Sequence, residues 1–289
     1  MTILPFWKGH GTENDFVLLP DADGSVVGGL TTELVAALCD RRAGIGGDGV
    51  LRVVRTAASD DPAAVAARDE AEWFMDYRNA DGSVSEMCGN GIRVFGRYLA
   101  DHEHVDTTRP VPVSTRGGTK VLTFSGEAIS VDMGPPDLLG ETKVAVGPRS
   151  WPALHVSMGN PHAVAFVDSL ADAGALLEPP GHDPAVYPDG VNVEFVVPVA
   201  PQHVAMRVHE RGSGETRSCG TGACAVMVAA ALADGADAQH PGGTTYRVDV
   251  PGGRLDVTWT EEGRVVLTGP AVLVARGEWL MPDAPARAV

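Results

Sequence analysis

The sequence predicts an α/β (α+β) fold made of two similar halves that arose by internal duplication. Two stretches, "EMCGNGIRVFG" from position 86 and "RSCGTGACAVM" from position 217, each place a cysteine before a Gly-x-Gly that opens an apolar run. Each follows a strand-like run and a glycine-containing loop, so a strand, loop and helix unit occurs twice. The run 223–233 is apolar on every side, which in a soluble protein requires surrounding structure such as a curled sheet.

The composition suits a soluble globular chain of one large or two ordinary domains. It has 289 residues, of which 44% are hydrophobic and 21% charged. The net charge of -16 would repel nucleic acid and anionic membranes. The first eleven residues lack the order of a signal peptide, and the longest apolar run is too short to cross a bilayer, so we expect a cytoplasmic protein. The four cysteines do not make a disulfide scaffold.

Short strand-like runs bounded by turn signals such as "ADG", "GNPH" and "YPDG" recur along the whole chain. The nine predicted strands are 16–19, 50–54, 72–77, 121–124, 128–133, 162–167, 191–197, 204–210 and 254–259. Three helices are predicted at 31–44, ending at Gly44, at 92–99 and at 223–233. The acidic, alanine-rich stretch 59–72 is expected to be a solvated loop or short helix. A boundary near Gly117 and Gly118 divides the chain into 1–118, completed by 270–289, and 119–269.

Cys88 and Cys219 are candidates for a pair of acid/base groups. A helix start presents backbone N–H groups and a partial positive charge, which bind carboxylates and lower the pKa of a thiol. Two sulfurs on opposite faces of one carbon can remove a proton from one face and deliver one to the other, which inverts the centre. Cys39 and Cys224 lie on apolar helix positions and are interpreted as small buried side chains.

The sequence offers little for a cofactor or a metal, so none is expected. A pyridoxal cofactor needs a Schiff-base lysine, and Lys8, Lys120 and Lys143 have no phosphate-binding context. Cys219 and Cys224 have neither a C-x-x-C spacing nor a neighbouring histidine, which argues against a metal site. The segment "GIGGDG" at 44–49 follows a helix and precedes a strand, the reverse of a dinucleotide-binding loop, and is predicted to be a turn.

Five ordered segments make the chain resemble the diaminopimelate epimerase family. They are "KGHGTENDFVLL" from 8, "RNADGSVSEMCGNGIR" from 78, "MGNPHAV" from 158, "PDGVNVEF" from 188 and "HERGSGETRSCGTGAC" from 209. The resemblance implies that each half is a barrel-like mixed sheet around a central helix, with the active site in the cleft between the halves. It implies an isomerase that converts L,L-diaminopimelate to the meso isomer without a cofactor, in the lysine and peptidoglycan precursor pathway. A homodimer is also implied.

The resemblance assigns roles to individual residues. Cys88 and Cys219 would be the acid/base pair, with His162 and Glu210 as the polar groups that modulate them. The reacting carboxylate would be held by Gly89, Asn90, Gly220 and Thr221. The far amino acid head would be bound by Asn14, Asn79, Asn160, Asn192, Glu210 and Arg211. Arginine suits that carboxylate and glutamate suits the ammonium. The chain departs from the common first motif by having Thr12 and Glu13 before Asn14, which adds a negative charge.

Three other functions are compatible with the cysteine pattern. A proline or hydroxyproline racemase would use the same two cysteines, but its substrate would leave Glu210 and Arg211 without partners, which is costly if they are buried. A thiol-disulfide protein would switch a bond between Cys88 and Cys219. A binding protein without catalysis would hold a small amino acid and exchange no proton.

Overall fold

The computed structural model describes residues 3–26 and 29–280 and divides into two compact units. Among the described residues, the first unit takes in 3–11, 15–26, 29–123 and 271–280. The second unit takes in Thr12–Asn14 and Phe124–Pro270. The last part of the segment predicted to complete the first half, 281–289, lies outside the described residues.

The first unit is a mixed sheet with three α-helices. Its strands are β1 (Ile3–Gly11), β2 (Asn14–Pro20), β3 (Gly49–Arg55), β4 (Trp73–Asn79), β5 (Val111–Ser114), β6 (Lys120–Ser125), which runs into the second unit, and β17 (Val272–Leu280). Its helices are α1 (Thr32–Cys39), α2 (Pro62–Ala66) and α3 (Gly89–His102), with a 3-10 turn at Thr56–Ala58. The strands pair in the order β17, β1, β2, β3, β4, β5 and β6.

Helix α3 is the buried helix of the first unit and packs against β1, β3, β4 and β17. Its apolar residues at three- and four-residue spacing, Ile92, Phe95 and Leu99, are all fully buried. The predicted helix at 92–99 is therefore confirmed, and the helix extends beyond it at both ends. The extension toward the N-terminus places Cys88 at the N-cap position.

The second unit is a larger mixed sheet with one α-helix. Its strands are β7 (Ala128–Gly134), β8 (Asp137–Val146), β9 (Arg149–Ser157), β10 (Pro161–Phe166), β11 (Asn192–Ala200), β12 (His203–Glu210), β13 (Gly214–Thr216), β14 (Thr244–Val250), β15 (Gly253–Trp259) and β16 (Val265–Pro270). Helix α4 is Gly220–Ala233, and a 3-10 turn covers Leu170–Ala173. The strands pair in the order β8, β9, β10, β11, β12, β14, β15, β16 and β7, with β13 also on β12.

Helix α4 is enclosed by strands of its own unit, as its uniformly apolar sequence predicts. It packs against β9, β10, β11, β12, β14, β15 and β16. Its residues from Ala223 to Ala231 are all buried. Burial on every side explains why the helix has no polar face, because transfer of each apolar side chain out of water stabilises the folded state.

The two units repeat one topology, which confirms the predicted fold class of two similar α/β halves. In the first unit β2 pairs parallel to β3, β3 antiparallel to β4, and β4 parallel to β5 after α3. In the second unit β10 pairs parallel to β11, β11 antiparallel to β12, and β12 parallel to β14 after α4. Both central helices have 14 residues and both begin directly after a cysteine.

The nine predicted strands are present, but the predicted end of the first helix is wrong. Helix α1 ends at Cys39 rather than at Gly44. The Asp40 side chain accepts hydrogen bonds from the backbone N–H groups of Arg42 and Ala43, at 2.7 and 2.8 Å, which turns the chain out of the helix. The segment 44–49 is a loop, as predicted, and the stretch 59–72 contains the short helix α2.

Eight strands of the described residues were missed, including β8 and β17 at sheet edges. Strand β8 is exposed along most of its length, and β17 carries few buried side chains, so neither shows the alternation of a half-buried strand. Within 3–26 and 29–280, no helix combines the length and apolar character needed to span a lipid bilayer.

Candidate active site

The two motif cysteines occupy the same structural position in their units. The Cys88 sulfur accepts a hydrogen bond from the Gly91 backbone N–H at 3.4 Å, and the Cys219 sulfur accepts one from Gly222 at 3.3 Å. Both residues have extended backbone angles, as an N-cap requires. The glycine three residues on lets the sulfur lie close to the helix backbone. The local sequence Cys-Gly-x-Gly therefore places a cysteine thiol at the N-cap of each central helix.

Each helix start also presents backbone donors beside its cysteine. The first intrahelical hydrogen bonds run from Ile92 to the Cys88 carbonyl and from Ala223 to the Cys219 carbonyl, both at 2.9 Å. The N–H groups at 89–90 and 220–221 come before these bonds and point out of the helix end. They are the groups that the resemblance assigns to the reacting carboxylate, and an anion there is stabilised by the helix dipole.

The surroundings of Cys219 raise the pKa of its thiol well above the ordinary value. Burial is the largest cause, and the nearby carboxylates of Glu210 and Glu194 add to it because a thiolate would repel them. Hydrogen bonds from Thr221 and from the Gly222 N–H act in the opposite direction but are outweighed. The helix start does lower this pKa through the Gly222 N–H, but burial outweighs it, and the sequence does not reveal how deeply the sulfur is buried.

Glu210 is the acidic neighbour of Cys219. It hydrogen-bonds to the Cys219 thiol and accepts a hydrogen bond from the Thr216 hydroxyl. Burial raises the pKa of Glu210, although its hydrogen bonds lower it in part. The structure thus places Glu210 beside one of the two predicted acid/base residues, next to the end of β12.

His162 is connected to Cys219 through two further predicted site residues. Its Nε2 lies 3.1 Å from Asn160 Oδ1, and Asn160 Nδ2 donates to Thr221 Oγ1 at 3.3 Å. Thr221 Oγ1 lies 3.5 Å from the Cys219 sulfur. The side chains of these four residues therefore form one continuous hydrogen-bonded chain in the second unit.

Glu194 is a site residue that the sequence analysis missed. It lies on β11, is fully buried, and its Oε1 is 2.6 Å from His162 Nδ1. Its proximity also contributes to the raised pKa of Cys219. The signal was present in "VNVEFVV", where an acidic residue interrupts an apolar strand, because a buried carboxylate needs a partner.

Two of the residues predicted to bind the distal head are joined at the end of β11. Asn192 is buried, and its Oδ1 accepts a hydrogen bond from the Arg211 backbone N–H at 2.9 Å. The Arg211 guanidinium is exposed and donates to the Asp189 carbonyl at 3.2 Å. The arginine is therefore anchored at its backbone and can reorient its charged end.

Asn14 is part of the short segment 12–14 that belongs to the second unit. The two residues before it, Thr12 and Glu13, both have positive φ angles, 50° and 63°, at the turn between β1 and β2. The Thr12 hydroxyl lies 2.6 Å from that of Ser218, and Glu13 Oε2 accepts from Arg217 Nε at 2.7 Å. The extra negative charge of Glu13 is therefore paired with a cation next to the Cys219 motif.

The site residues of the first unit lie near the α3 start and the end of β4. Asn90 is fully buried, and its Oδ1 accepts from the buried Arg93 guanidinium at 2.8 Å. Arg93 also donates to the Gly89 carbonyl at 2.9 Å, so it braces the first turn of the helix. Asn79 Oδ1 accepts from the Tyr77 hydroxyl at 2.9 Å, and its Nδ2 donates to Ser83.

The remaining cysteines are structural. Cys39 and Cys224 are buried, and burial raises the pKa of Cys39 to about 11. All four cysteines lie in the described part of the chain, and none of them forms a disulfide bond.

Comparison with known proteins identifies the family of this chain. The profile described as diaminopimelate epimerase matches residues 6–139 and 154–274. Proteins named diaminopimelate epimerase from Streptomyces coelicolor and Mycolicibacterium smegmatis are 59% and 49% identical. The alignments cover 96% and 94% of this chain, respectively, and 96% of each relative.

Solved structures share the fold at low identity. A PhzF-family phenazine biosynthesis protein from Bacillus anthracis has a TM-score of 0.70 and 17% identity, over 97% of this chain and 100% of its own. A hydroxyproline epimerase from Agrobacterium vitis has a TM-score of 0.68 and 15% identity, over 96% and 92%. The family profile and the similarity of sequence along nearly the whole length show that the chain belongs to the diaminopimelate epimerase family.

Proposed function

We propose that this chain epimerises L,L-diaminopimelate to the meso isomer with Cys88 and Cys219 as its two acid/base residues and without a cofactor. The observation that carries the proposal is the matched N-cap position of the two thiols, each beside helix-start N–H groups. A reaction that inverts one carbon needs a base on one face and an acid on the other. Duplication of the unit supplies both, because each copy carries one N-cap cysteine.

The protonation state of Cys219 supports a division of roles. Because burial and two carboxylates raise its pKa, Cys219 is a thiol near neutral pH and can deliver a proton. In the direction of the meso product, Cys88 as a thiolate removes the α-proton and Cys219 donates its own to the opposite face. The step leaves Cys88 as a thiol and Cys219 as a thiolate, and proton exchange with water restores the starting state.

The other predicted residues have defined tasks in this mechanism. The N–H groups of Gly89, Asn90, Gly220 and Thr221 hold the reacting carboxylate, whose negative charge grows as the α-proton leaves. His162 and Glu210 adjust the protonation of the sulfurs. At the distal amino acid head of the substrate, the carboxylate pairs with Arg211. The ammonium of the same head pairs with Glu210 and with the side-chain amides of Asn14, Asn79, Asn160 and Asn192.

The test is incubation of reduced protein with L,L-diaminopimelate in D2O, following α-deuterium uptake and the ratio of isomers. Cys88→Ala and Cys219→Ala should each abolish conversion while the circular dichroism spectrum stays that of the wild type. Cys39→Ala, which removes a buried cysteine outside the motifs, is the matched control and should retain activity. Near-normal turnover by either motif variant would contradict the two-base mechanism.

Two alternative functions can be tested with the same purified protein. The fold shared with a hydroxyproline epimerase makes a cyclic imino acid a second candidate substrate. Turnover of proline or hydroxyproline without any of diaminopimelate would establish it instead. A thiol-disulfide function predicts that oxidation switches activity on, whereas the two-base mechanism predicts that oxidation abolishes turnover and that a reductant restores it.

We further propose that the chain acts in the cytoplasm as a homodimer. The resemblance to its family supports both statements, and a reducing compartment would keep both thiols reduced. Light scattering coupled to size-exclusion chromatography gives the assembly state directly. A mass equal to that of one chain would refute the dimer.

A further inference from the structure

Glu194 is a buried carboxylate outside the residues assigned above to the reaction. A role for it in the reaction deepens the proposed function and rests on it. Glu194 and His162 lie on the neighbouring parallel strands β11 and β10, and neither side chain is exposed to solvent. A buried carboxylate at 2.6 Å from an imidazole nitrogen is a strong, directional contact.

The contact determines which atoms of His162 carry protons. A carboxylate only accepts hydrogen bonds, so the His162 Nδ1 must carry a hydrogen toward Glu194. The other ring nitrogen faces Asn160 Oδ1, which also accepts. The Glu194 carboxylate and the Asn160 oxygen thus lie on the two sides of the imidazole and fix the orientation of the ring.

The hydrogen-bonded chain then runs in one direction toward the sulfur. His162 donates to Asn160 Oδ1, the Asn160 amide donates to Thr221 Oγ1, and the Thr221 hydroxyl has Cys219 Sγ as its next acceptor at 3.5 Å. A donor aimed at this sulfur stabilises it at the moment when it becomes a thiolate. The orientation of each link depends on the one before it, and the first link is held by Glu194.

The second oxygen of Glu194 strengthens this interpretation. Glu194 Oε2 is buried and makes no hydrogen bond among the residues that the structure describes. Oε1 also lies at the start of α4, 2.8 Å from where a Cβ on Gly222 would be. The carboxylate thus contacts His162 and lies beside the start of α4. An apolar residue would fill the same space without the cost of burying a polar group.

We propose that Glu194 is a positioning residue for the epimerisation. Its hydrogen bond fixes the His162 imidazole, and through Asn160 and Thr221 it orients the donor that faces the Cys219 sulfur. Glu194 itself does not touch the substrate in this scheme, so its loss should reduce kcat more than it changes KM.

The direct test is an NMR measurement of the imidazole nitrogens in 15N-histidine-labelled protein. The His162 signals are assigned by their disappearance in His162→Gln. In the wild type we expect His162 Nδ1 to carry a hydrogen that is bonded to Glu194. In Glu194→Met, which keeps the side chain long but removes the acceptor, we expect the Nδ1–H signal to shift or vanish.

Kinetics of the same variants supply the second measurement. Glu194→Met should lower kcat by about 10- to 100-fold, the loss found when the carboxylate partner of a metal-binding histidine is removed, which is a comparable pair. Glu194→Gln, which keeps an acceptor oxygen, should restore part of the rate. The matched control is Asp249→Asn, which alters another histidine–carboxylate pair of the same unit, at 2.7 Å from His203, and should leave kcat unchanged.

A folded Glu194→Met protein with wild-type kcat, or with unchanged His162 signals, would overturn the proposal. If Glu194→Met does not fold, the isosteric Glu194→Gln decides, and unchanged kcat and His162 signals in that variant would overturn it equally. An inactive wild-type chain would refute the proposed function alone, because the imidazole signals still report on the Glu194–His162 pair.

Discussion

Replacement of Gly222 by alanine tests the packing around the Cys219 sulfur. A Cβ at this position would lie 2.8 Å from Glu194 Oε1, 3.2 Å from Cys219 Cβ and 3.3 Å from its sulfur. The first distance is shorter than real Cβ contacts, so an atom must move. The carboxylate cannot withdraw without disturbing its 2.6 Å hydrogen bond to His162.

The duplicated fold provides a matched control in the first unit. Gly91 occupies the same helix position, three residues after Cys88, and a Cβ there would lie 3.3 Å from Cys88 Cβ and from Leu51 Cδ2. Its next neighbour, Phe16 Cζ, is at 3.4 Å. These contacts are tight but need shifts of only a few tenths of an ångström.

The two substitutions should therefore differ in stability. Alanine is favoured over glycine in a helix by about 0.5–1 kcal/mol, which applies to both variants. Overpacking costs about 1–3 kcal/mol, and weakening a hydrogen bond to a charged group costs up to about 1.5–3 kcal/mol. We expect Gly222→Ala to be destabilised by about 2 kcal/mol and Gly91→Ala to remain within about 1 kcal/mol of the wild type.

Urea unfolding followed by circular dichroism measures both variants, and the D2O exchange assay measures their activity. Gly222→Ala should lose most of its kcat because the thiol and its carboxylate neighbours are displaced together. Equal stability of Gly222→Ala and Gly91→Ala, to within about 0.5 kcal/mol, would refute the steric reasoning. Full activity in Gly222→Ala would show that the sulfur tolerates displacement.

Two predictions concern pH. Alkylation of Cys219 in the substrate-free protein, followed by peptide mass spectrometry, should stay slow near neutral pH and accelerate only above the ordinary thiol pKa of about 8.5, because burial and Glu210 raise its pKa. Glu210→Gln should move the profile to lower pH, and rapid labelling of the wild type near pH 7 would contradict this. Burial raises the pKa of Asp15, but hydrogen bonds from Arg41 and Lys8 together outweigh burial. The net result is a pKa lowered from 3.8 to about 2. This contributes about 2 kcal/mol of stability that is present above about pH 4 and lost as the pH falls toward 2, so the cost of Asp15→Asn in urea unfolding should disappear over that range. A cost that persists at the lowest pH would contradict the assignment.

The sequence alone determined the features that depend on short-range patterns. Alternating and continuous apolar runs marked nine strands, and three-residue spacing marked the buried face of α3. The cysteine and glycines of each motif specified a helix start with a sulfur at its N-cap, because capping involves only the first few residues of a helix. Repetition of that motif was sufficient to predict two similar halves.

The tertiary structure alone decided the electrostatics of the site. The pKa of Cys219 depends on how deeply the sulfur is buried and on two carboxylates, Glu210 on β12, which is near it in the sequence, and Glu194 on β11, which is not. Glu194 reaches His162 only because β10 and β11 pair in parallel with a particular register. Local patterns are set by neighbouring residues, whereas desolvation and charge interactions depend on which distant strands the fold brings together, and no short segment carries that information.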